Sequence, residues 1–230
     1  MRNMKIYHGS QNIIEKPQFE FGKSGNDFGL GFYCTESEDL AKEWSVQPDR
    51  DGFANAYEID LDGLNVLNLN THEFSVLNWM AILVSHRQFK SKTPIAGAAV
   101  GYLKSRLAIN VDAYDVIIGY RADDSYFDFA EAFLNNTINV EQLSDALRLC
   151  KLGEQVVIKS REAFERLRFL GYAPAEHTLY YPRRKARNDT AEKEYLRIQS
   201  ESDFRGLYLN VILSERIGGD DARIPRNAAC

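Results

Sequence analysis

Two short segments near the start of the chain hold side chains whose types and spacing could do chemistry. They are Lys5-Ile6-Tyr7-His8-Gly9-Ser10, and Asp27-Phe28-Gly29-Leu30-Gly31-Phe32-Tyr33-Cys34-Thr35 with Ala41 and Trp44 beyond it. A histidine at the end of a short strand can hydrogen-bond a ribose hydroxyl. The glycine after it opens the backbone to a carboxamide, because without a Cβ a ligand can approach closely. The Gly29-x-Gly31-x-Tyr33 stretch would turn a flat aromatic face to the same ligand. Taken singly, a histidine is more often a satisfied structural group, and a tyrosine or tryptophan a core aromatic. Their joint spacing is what reads as a slot for a nicotinamide ring and its ribose.

The order His-Gly-Ser, then Phe-Gly-x-Gly-x-Tyr, then Trp44 resembles the NAD-binding core of the diphtheria-toxin-like and poly-ADP-ribose-polymerase branch of the ADP-ribosyltransferases. That branch joins a histidine, a tyrosine and a later acidic or amide residue in a His-Tyr-Glu-type triad. The resemblance implies that His8 holds the nicotinamide ribose, Gly9 the carboxamide and Tyr33 one face of the ring, with Trp44 as a second stacking aromatic. Ser10, Phe28 and Gly29 complete the implied NAD-binding set. The polymerases carry a hydroxyl where this chain has Ala41, which removes one hydrogen bond to the carboxamide.

The third member is sought in Gly153-Glu154-Gln155-Val156-Val157-Ile158-Lys159-Ser160, a strand-like run leading into a helical segment. Alternate strand side chains face opposite sides, so Glu154 and Gln155 cannot both enter one slot. The run is similar to bacterial, uncharacterised members of the superfamily in which a glutamine often holds this place. Gln155 is therefore favoured, with Glu154 as the alternative. A strand ending in Gly119-Tyr120-Arg121-Ala122-Asp123-Asp124 is similar to the same bacterial family, and the resemblance covers roughly residues 4 to 170.

The resemblance implies NAD as co-substrate, no metal, and transfer of a single ADP-ribose to a macromolecular acceptor, protein or nucleic acid, with release of nicotinamide. It further implies a bacterial toxin or effector, with a cognate antitoxin as a candidate partner. Because a glutamine is not a general base, acid–base help would come from elsewhere or from the acceptor. NAD glycohydrolysis is the alternative reaction. A catalytically silent NAD- or nucleotide-binding module is the alternative class, motivated by Ala41 and the uncertain glutamate. RNA 2′-phosphotransfer lacks a convincing set of basic residues around His8.

The chain has 230 residues, a net charge of −5, 44% hydrophobic and 27% charged residues, as expected of a soluble folded domain without a general nucleic-acid-binding surface. Three cysteines without metal-ligand spacing suit a reducing cytoplasm. No signal-peptide-like apolar region opens the sequence, and Trp79 to Val84 is far short of the ~20 residues of a membrane helix. Cys34 is read as a core thiol, and the pair Asp123-Asp124 as a helix cap, with a metal or the target as the alternative contact. Arg183 to Arg187 is read as a solvated charge run, with a phosphate of NAD or of a nucleic-acid target as the alternative contact.

Strands are expected at Lys5 to His8, Phe32 to Thr35, Ala56 to Leu61, Asp115 to Tyr120 and from Gln155. Leu64 to Leu69 would extend or partner the third strand across the Asp62-Gly63 turn. Helices are expected at Ser37 to Val46 with Ser37 as N-cap, His72 to Gln88, Ile95 to Leu107, Asp124 to Leu134, Val140 to Leu149, Arg161 to Leu167 and Asp189 to Ser200. This order predicts an α+β fold; the resemblance adds an ADP-ribosyltransferase-like split antiparallel β core with peripheral helices. The implied domain runs over 1–205, and 206–230 reads as a strand-like segment with a disordered tail.

Overall fold

The computed structural model describes residues 3–89, 93–122, 124–148, 154–201 and 205–227. Cys150, Cys230 and the capping role of Asp123 and Asp124 lie outside the described residues and side chains. In chain order, β1 (Asn3–Ser10) and β2 (Phe32–Cys34) are followed by α1 (Glu38–Ser45), β3 (Gly52–Asp60) and β4 (Val66–Asn68). Helices α2 (Val76–His86) and α3 (Pro94–Arg106) lead to β5 (Val116–Tyr120), α4 (Asp124–Leu134) and α5 (Val140–Arg148). Then come β6 (Glu154–Ile158), α6 (Arg161–Glu165), β7 (Leu167–Ala175), α7 (His177–Ser200) and α8 (Leu209–Glu215). The fold is α+β.

The strands form two sheets. The first has the order β1-β3-β7 and is antiparallel; the second has the order β2-β6-β5-β4, antiparallel except where β4 runs parallel to β5. Strand alternation gives the second sheet two buried faces. Val116, Ile118, Val156 and Ile158 pack with Ile6, Tyr57 and Ile59 of the first sheet, while Ile117 and Val157 join the larger core shared with the helices. Trp79, Met80 and Leu83 of α2 and Phe129 and Phe133 of α4 fill that core.

Local chemistry explains the elements that carry the site. Ser37 caps α1, its Oγ accepting from the Leu40 N–H at 3.3 Å, and Glu38 and Asp39 complement the helix dipole in the first turn. Tyr7 and Thr35 exchange backbone hydrogen bonds of 2.7 and 2.9 Å, tying the end of β1 to the end of β2. That exchange sets His8 beside Tyr33.

Several expectations require correction. Leu64 to Leu69 does not pair with β3: Gly63, at φ +79°, turns the chain toward the other sheet, where β4 pairs with β5. Alternation specifies a strand and leaves its partner open. The region after 206 is not strand-like, because it forms α8, and the described part of the tail is packed. Leu209, Ile212, Ile217 and Ile224 are buried, and Asn227 Nδ2 donates to the Leu69 carbonyl at 2.7 Å. β7, with Gly171 and Pro174 in it, escapes the sequence reading; it is an edge strand, where proline is tolerated. No helix among the described residues is long and apolar enough to cross a membrane.

Candidate functional site

His8 leaves β1 with its ring stacked on Phe32, centroids 4.4 Å apart, and its Nδ1 donates to the Tyr33 backbone carbonyl at 2.7 Å. That bond fixes the tautomer: in the neutral ring, Nε2 is the acceptor. Burial lowers the His8 pKa below its ordinary value, against the opposing pull of the Tyr33 carbonyl, so the ring is neutral around pH 7.

The last turn of the loop before β2 is pinned at Asp27, Phe28 and Gly29. The Tyr33 hydroxyl donates to the Gly29 carbonyl at 2.6 Å and accepts from the Phe28 N–H at 3.0 Å. Lys159 Nζ donates to the Phe28 carbonyl at 3.0 Å and pairs with Asp112 at 2.9 Å. Gly29 has φ +74°, and a Cβ there would lie 2.8 Å from His86 Nδ1, so only glycine fits both the turn and its neighbour. With its hydroxyl committed and its pKa pushed up by burial, Tyr33 presents a ring face rather than a proton donor.

Gln155 sits opposite Gly119 in β6, two residues from Val157, which itself opposes Tyr33. Strand geometry therefore puts Gln155 and Tyr33 on one face. The Gln155 side chain is buried; its Nε2 donates to Asp27 Oδ2 at 3.1 Å, and its Oε1 has no partner. Asp27 is buried as well. Its Oδ2 also accepts from the Ala122 N–H at 2.9 Å, and its Oδ1 takes the Arg87 guanidinium at 2.9 Å. Burial raises the Asp27 pKa, while Ala122, Arg87, Gln155 and Arg121 work against that rise. The carboxylate is spent on positioning: it orients Gln155 so that the amide oxygen is the open group.

Trp44 comes from α1, which packs so close to β1 that a Cβ on Gly9 would lie 2.1 Å from the Ala41 carbonyl oxygen. The Arg121 guanidinium lies 4.0 Å from the centre of the Trp44 ring, and Trp44 Nε1 is buried without a partner. Arg184 and Asn188 of α7 complete the wall. These groups enclose a cavity of about 370 Å³, inside the ~300–1,000 Å³ range of small-molecule sites.

Of the residues singled out in the sequence, His8, Gly9, Tyr33, Trp44 and Gln155 line this cavity. The others do not. Ser10 Oγ accepts from the Asn12 N–H at 3.1 Å, away from the cavity. Phe28 is fully buried in the helix-side core, and Gly29 shapes the loop behind Tyr33. Glu154 faces the other side of β6, accepting from Asn70 Nδ2 at 2.7 Å, so of the two candidates only Gln155 is in the cavity. Gly9 is required by the approach of α1, whatever else its backbone does.

Asn26, Asp27, Arg87, Arg121 and Asn188 line the cavity without having been picked out as site residues, and Arg184 does so from the basic run whose alternative reading is a phosphate contact. Asp27 had a signal in its place beside Phe28-Gly29. Arg87 had none, since its partner is 60 residues away in the chain. No group of three or more His, Cys, Asp or Glu side chains that could hold a metal ion occurs among the described residues.

Residues 4–169 match the family described as "Protein of unknown function (DUF3990)". The chain belongs to this family. Neither a curated protein nor a solved structure matches it. The matched segment runs from β1 to the start of β7 and includes His8, Asp27, Tyr33, Trp44 and Gln155, whereas the rest of β7, α7 and α8 lie beyond it.

Proposed function

We propose that the cavity binds the nicotinamide riboside half of NAD and that the protein transfers ADP-ribose to an acceptor, within an ADP-ribosyltransferase-like split β core. The observation that carries this reading is the convergence of His8, Tyr33, Trp44 and Gln155, from β1, β2, α1 and β6, on one cavity of fitting size. Two buried polar atoms without protein partners, Gln155 Oε1 and Trp44 Nε1, are the kind of groups a bound nucleoside would satisfy.

In this reading the ring lies against Tyr33 and Trp44, with aromatic contacts worth ~0.5–1.5 kcal/mol beyond burial. His8 Nε2 and Gln155 Oε1 each accept a ribose hydroxyl. As the bond from the ribose anomeric carbon to the nicotinamide nitrogen breaks, nicotinamide leaves as a neutral molecule with the bonding pair. Positive charge builds on the ribose carbon beside the partial negative charge of Oε1, which stabilises it by position alone. The acceptor then bonds to that carbon and gives up its proton to solvent. In this geometry neither Asp27 nor Glu154 offers an open carboxylate, so the acceptor must need little activation. The toxin or effector role follows from the resemblance.

That same shortage of an open carboxylate favours a second reading, a module that binds NAD without turning it over. One experiment separates these readings: NAD labelled on its adenine side is incubated with the protein, with and without cell lysate, and nicotinamide release and macromolecular label are followed. Label on a macromolecule, lost in His8→Ala and Gln155→Ala, is the expected result. Nicotinamide release with free ADP-ribose alone would mean glycohydrolysis, and binding without release would mean the silent module. Absence of both binding and release would overturn the NAD reading.

A further inference from the structure

The basic run Arg183-Arg184-Lys185-Ala186-Arg187 reads in sequence as a solvated charge cluster, but the fold divides it. Arg187 Nε donates to Glu43 at 2.9 Å, and Arg183 lies 3.9 Å from Asp39, so both are directed at α1. Tyr180, buried between the helices, donates to the same Asp39 at 3.3 Å. His177 fixes the start of α7, its backbone N–H and its ring Nδ1 both binding Asp51. Helical spacing turns Tyr181, Arg184, Lys185 and Asn188 onto a different stripe. Among the described residues neither Arg184 nor Lys185 has an acidic partner.

This stripe, with Gln47 and Pro48, lines a second recess of about 210 Å³. Arg184 and Asn188 line both the recess and the main cavity, so the two spaces adjoin across them. A nicotinamide with its ribose takes up most of a cavity of about 370 Å³. The rest of a dinucleotide has to leave it, and it leaves as a doubly anionic diphosphate.

We infer that the α7 stripe is a phosphate-binding subsite for the diphosphate of the dinucleotide. The inference rests on the NAD reading for the identity of the phosphate bearer. Arg184 supplies the planar fork that matches a phosphate, Lys185 a mobile point charge at the rim, and Asn188 an amide donor. The contacts to Asp39, Glu43 and Asp51 hold the helix in place so that its unpaired cations face the opening. α7 lies outside the family-matching residues 4–169, while Gln47 and Pro48 on the other side of the recess lie inside them.

Isothermal titration of the full chain with NAD, nicotinamide riboside and inorganic pyrophosphate tests the subsite, with circular dichroism and melting curves to confirm that each variant is folded. Wild type is expected to bind NAD at least tenfold more tightly than nicotinamide riboside. The Arg184→Ala/Lys185→Ala variant should lose that advantage and the binding of pyrophosphate while keeping its affinity for nicotinamide riboside, and Arg184→Lys should keep part of both.

Equal wild-type affinity for NAD and nicotinamide riboside would overturn the subsite and leave the NAD reading standing, as would a double variant that weakens both ligands alike. If wild type binds neither, the NAD reading fails and pyrophosphate decides alone: Arg184-dependent binding upholds a phosphate subsite, and its absence removes it. A short single-stranded oligonucleotide that displaces pyrophosphate more effectively than NAD does would overturn the dinucleotide assignment in favour of an acceptor's phosphate.

Discussion

On the strand side of the cavity His8, Tyr33, Asp27 and Gln155 are each held by another residue, His8 by the Tyr33 carbonyl, Tyr33 by the Phe28-Gly29 backbone and Gln155 by Asp27. On the α7 side only the residues facing α1 are held, and Arg184 and Lys185 reach the opening without ion-pair partners among the described residues. The first wall is arranged in advance; it suits a rigid ring and the one ribose that must be oriented for bond breaking. The second suits a flexible, charged stretch of ligand, for which long cationic side chains adjust on binding. Changes to the first wall should therefore affect folding and chemistry together, and changes to the second should affect affinity alone.

The largest effect is expected at Asp27. Asp27→Ala leaves the Arg87 guanidinium, the Ala122 N–H and the Gln155 amide without their partner in a buried setting, and breaking such a pair costs about 3–5 kcal/mol. Urea denaturation should register that loss, together with loss of NAD binding. An unchanged denaturation midpoint would mean that Asp27 does not organise this wall.

Gly9→Ala comes next. The added methyl would sit 2.1 Å from the Ala41 carbonyl oxygen and 3.1 Å from the Ser45 nitrogen, both backbone atoms that cannot rotate away. Helix α1 has to shift and take Trp44 with it. A destabilisation of about 1–3 kcal/mol, in the range of overpacked sites, should accompany weaker NAD binding, and fluorescence of the tryptophans would follow both.

Gln155→Glu sharpens the contrast because it tests why the residue is a glutamine. A carboxylate there would face Asp27 Oδ2, now 3.1 Å from the Gln155 Nε2, and two buried carboxylates that close share one proton. The folded state would then bind a proton that the unfolded chain releases, so stability should fall as pH rises from 5 to 8, the reverse of an ordinary paired acid. No gain in turnover is expected. A variant that is equally stable at both pH values and faster on NAD would break the account of Asp27 as a positioning group.

His8 gives a smaller, opposite pH effect. Burial holds its pKa below the ordinary 6.5, so between that lowered value and 6.5 the unfolded chain carries a proton that the fold does not. Stability should decline as pH falls through this window, by at most about 1.4 kcal/mol per pH unit. His8→Gln should lack that component, so the difference between the two melting-temperature profiles isolates it from the carboxylates.

The same contrast governs what the sequence reveals. The strand-side residues lie in short local patterns, and the β1 and β2 motifs are brought together by the Tyr7–Thr35 bridge, so spacing points to His8 and Tyr33. Strand alternation leaves a choice between Glu154 and Gln155 that only the resemblance tips toward Gln155. Phe28 and Ser10 belong to the same patterns yet face elsewhere, because a motif specifies backbone path more firmly than side-chain direction. Arg87 follows an element whose own sequence is ordinary, and Arg121 stands in a run noted for the strand's ending and not for a side chain in the cavity. The first half of α7 was hidden by Pro182 inside a basic run, which reads as a helix breaker; the helix runs through it regardless, anchored on α1 by Tyr180 and Arg187 and at the start of β3 by the ring of His177 against Asp51.

The smallest expected effect belongs to Arg183, and it is the control for its neighbour. Arg183→Ala removes the same charge from the same helix as Arg184→Ala, but it removes it from an exposed contact 3.9 Å from Asp39 and from the face of Tyr180. Exposed pairs of this kind contribute about 0–1 kcal/mol, so the melting temperature should barely move. If overall positive charge drew the ligand in, the two variants would weaken NAD binding equally. If the phosphate is held by the stripe that adjoins the cavity, Arg183→Ala should bind NAD and pyrophosphate as wild type does, and only Arg184→Ala should lose them.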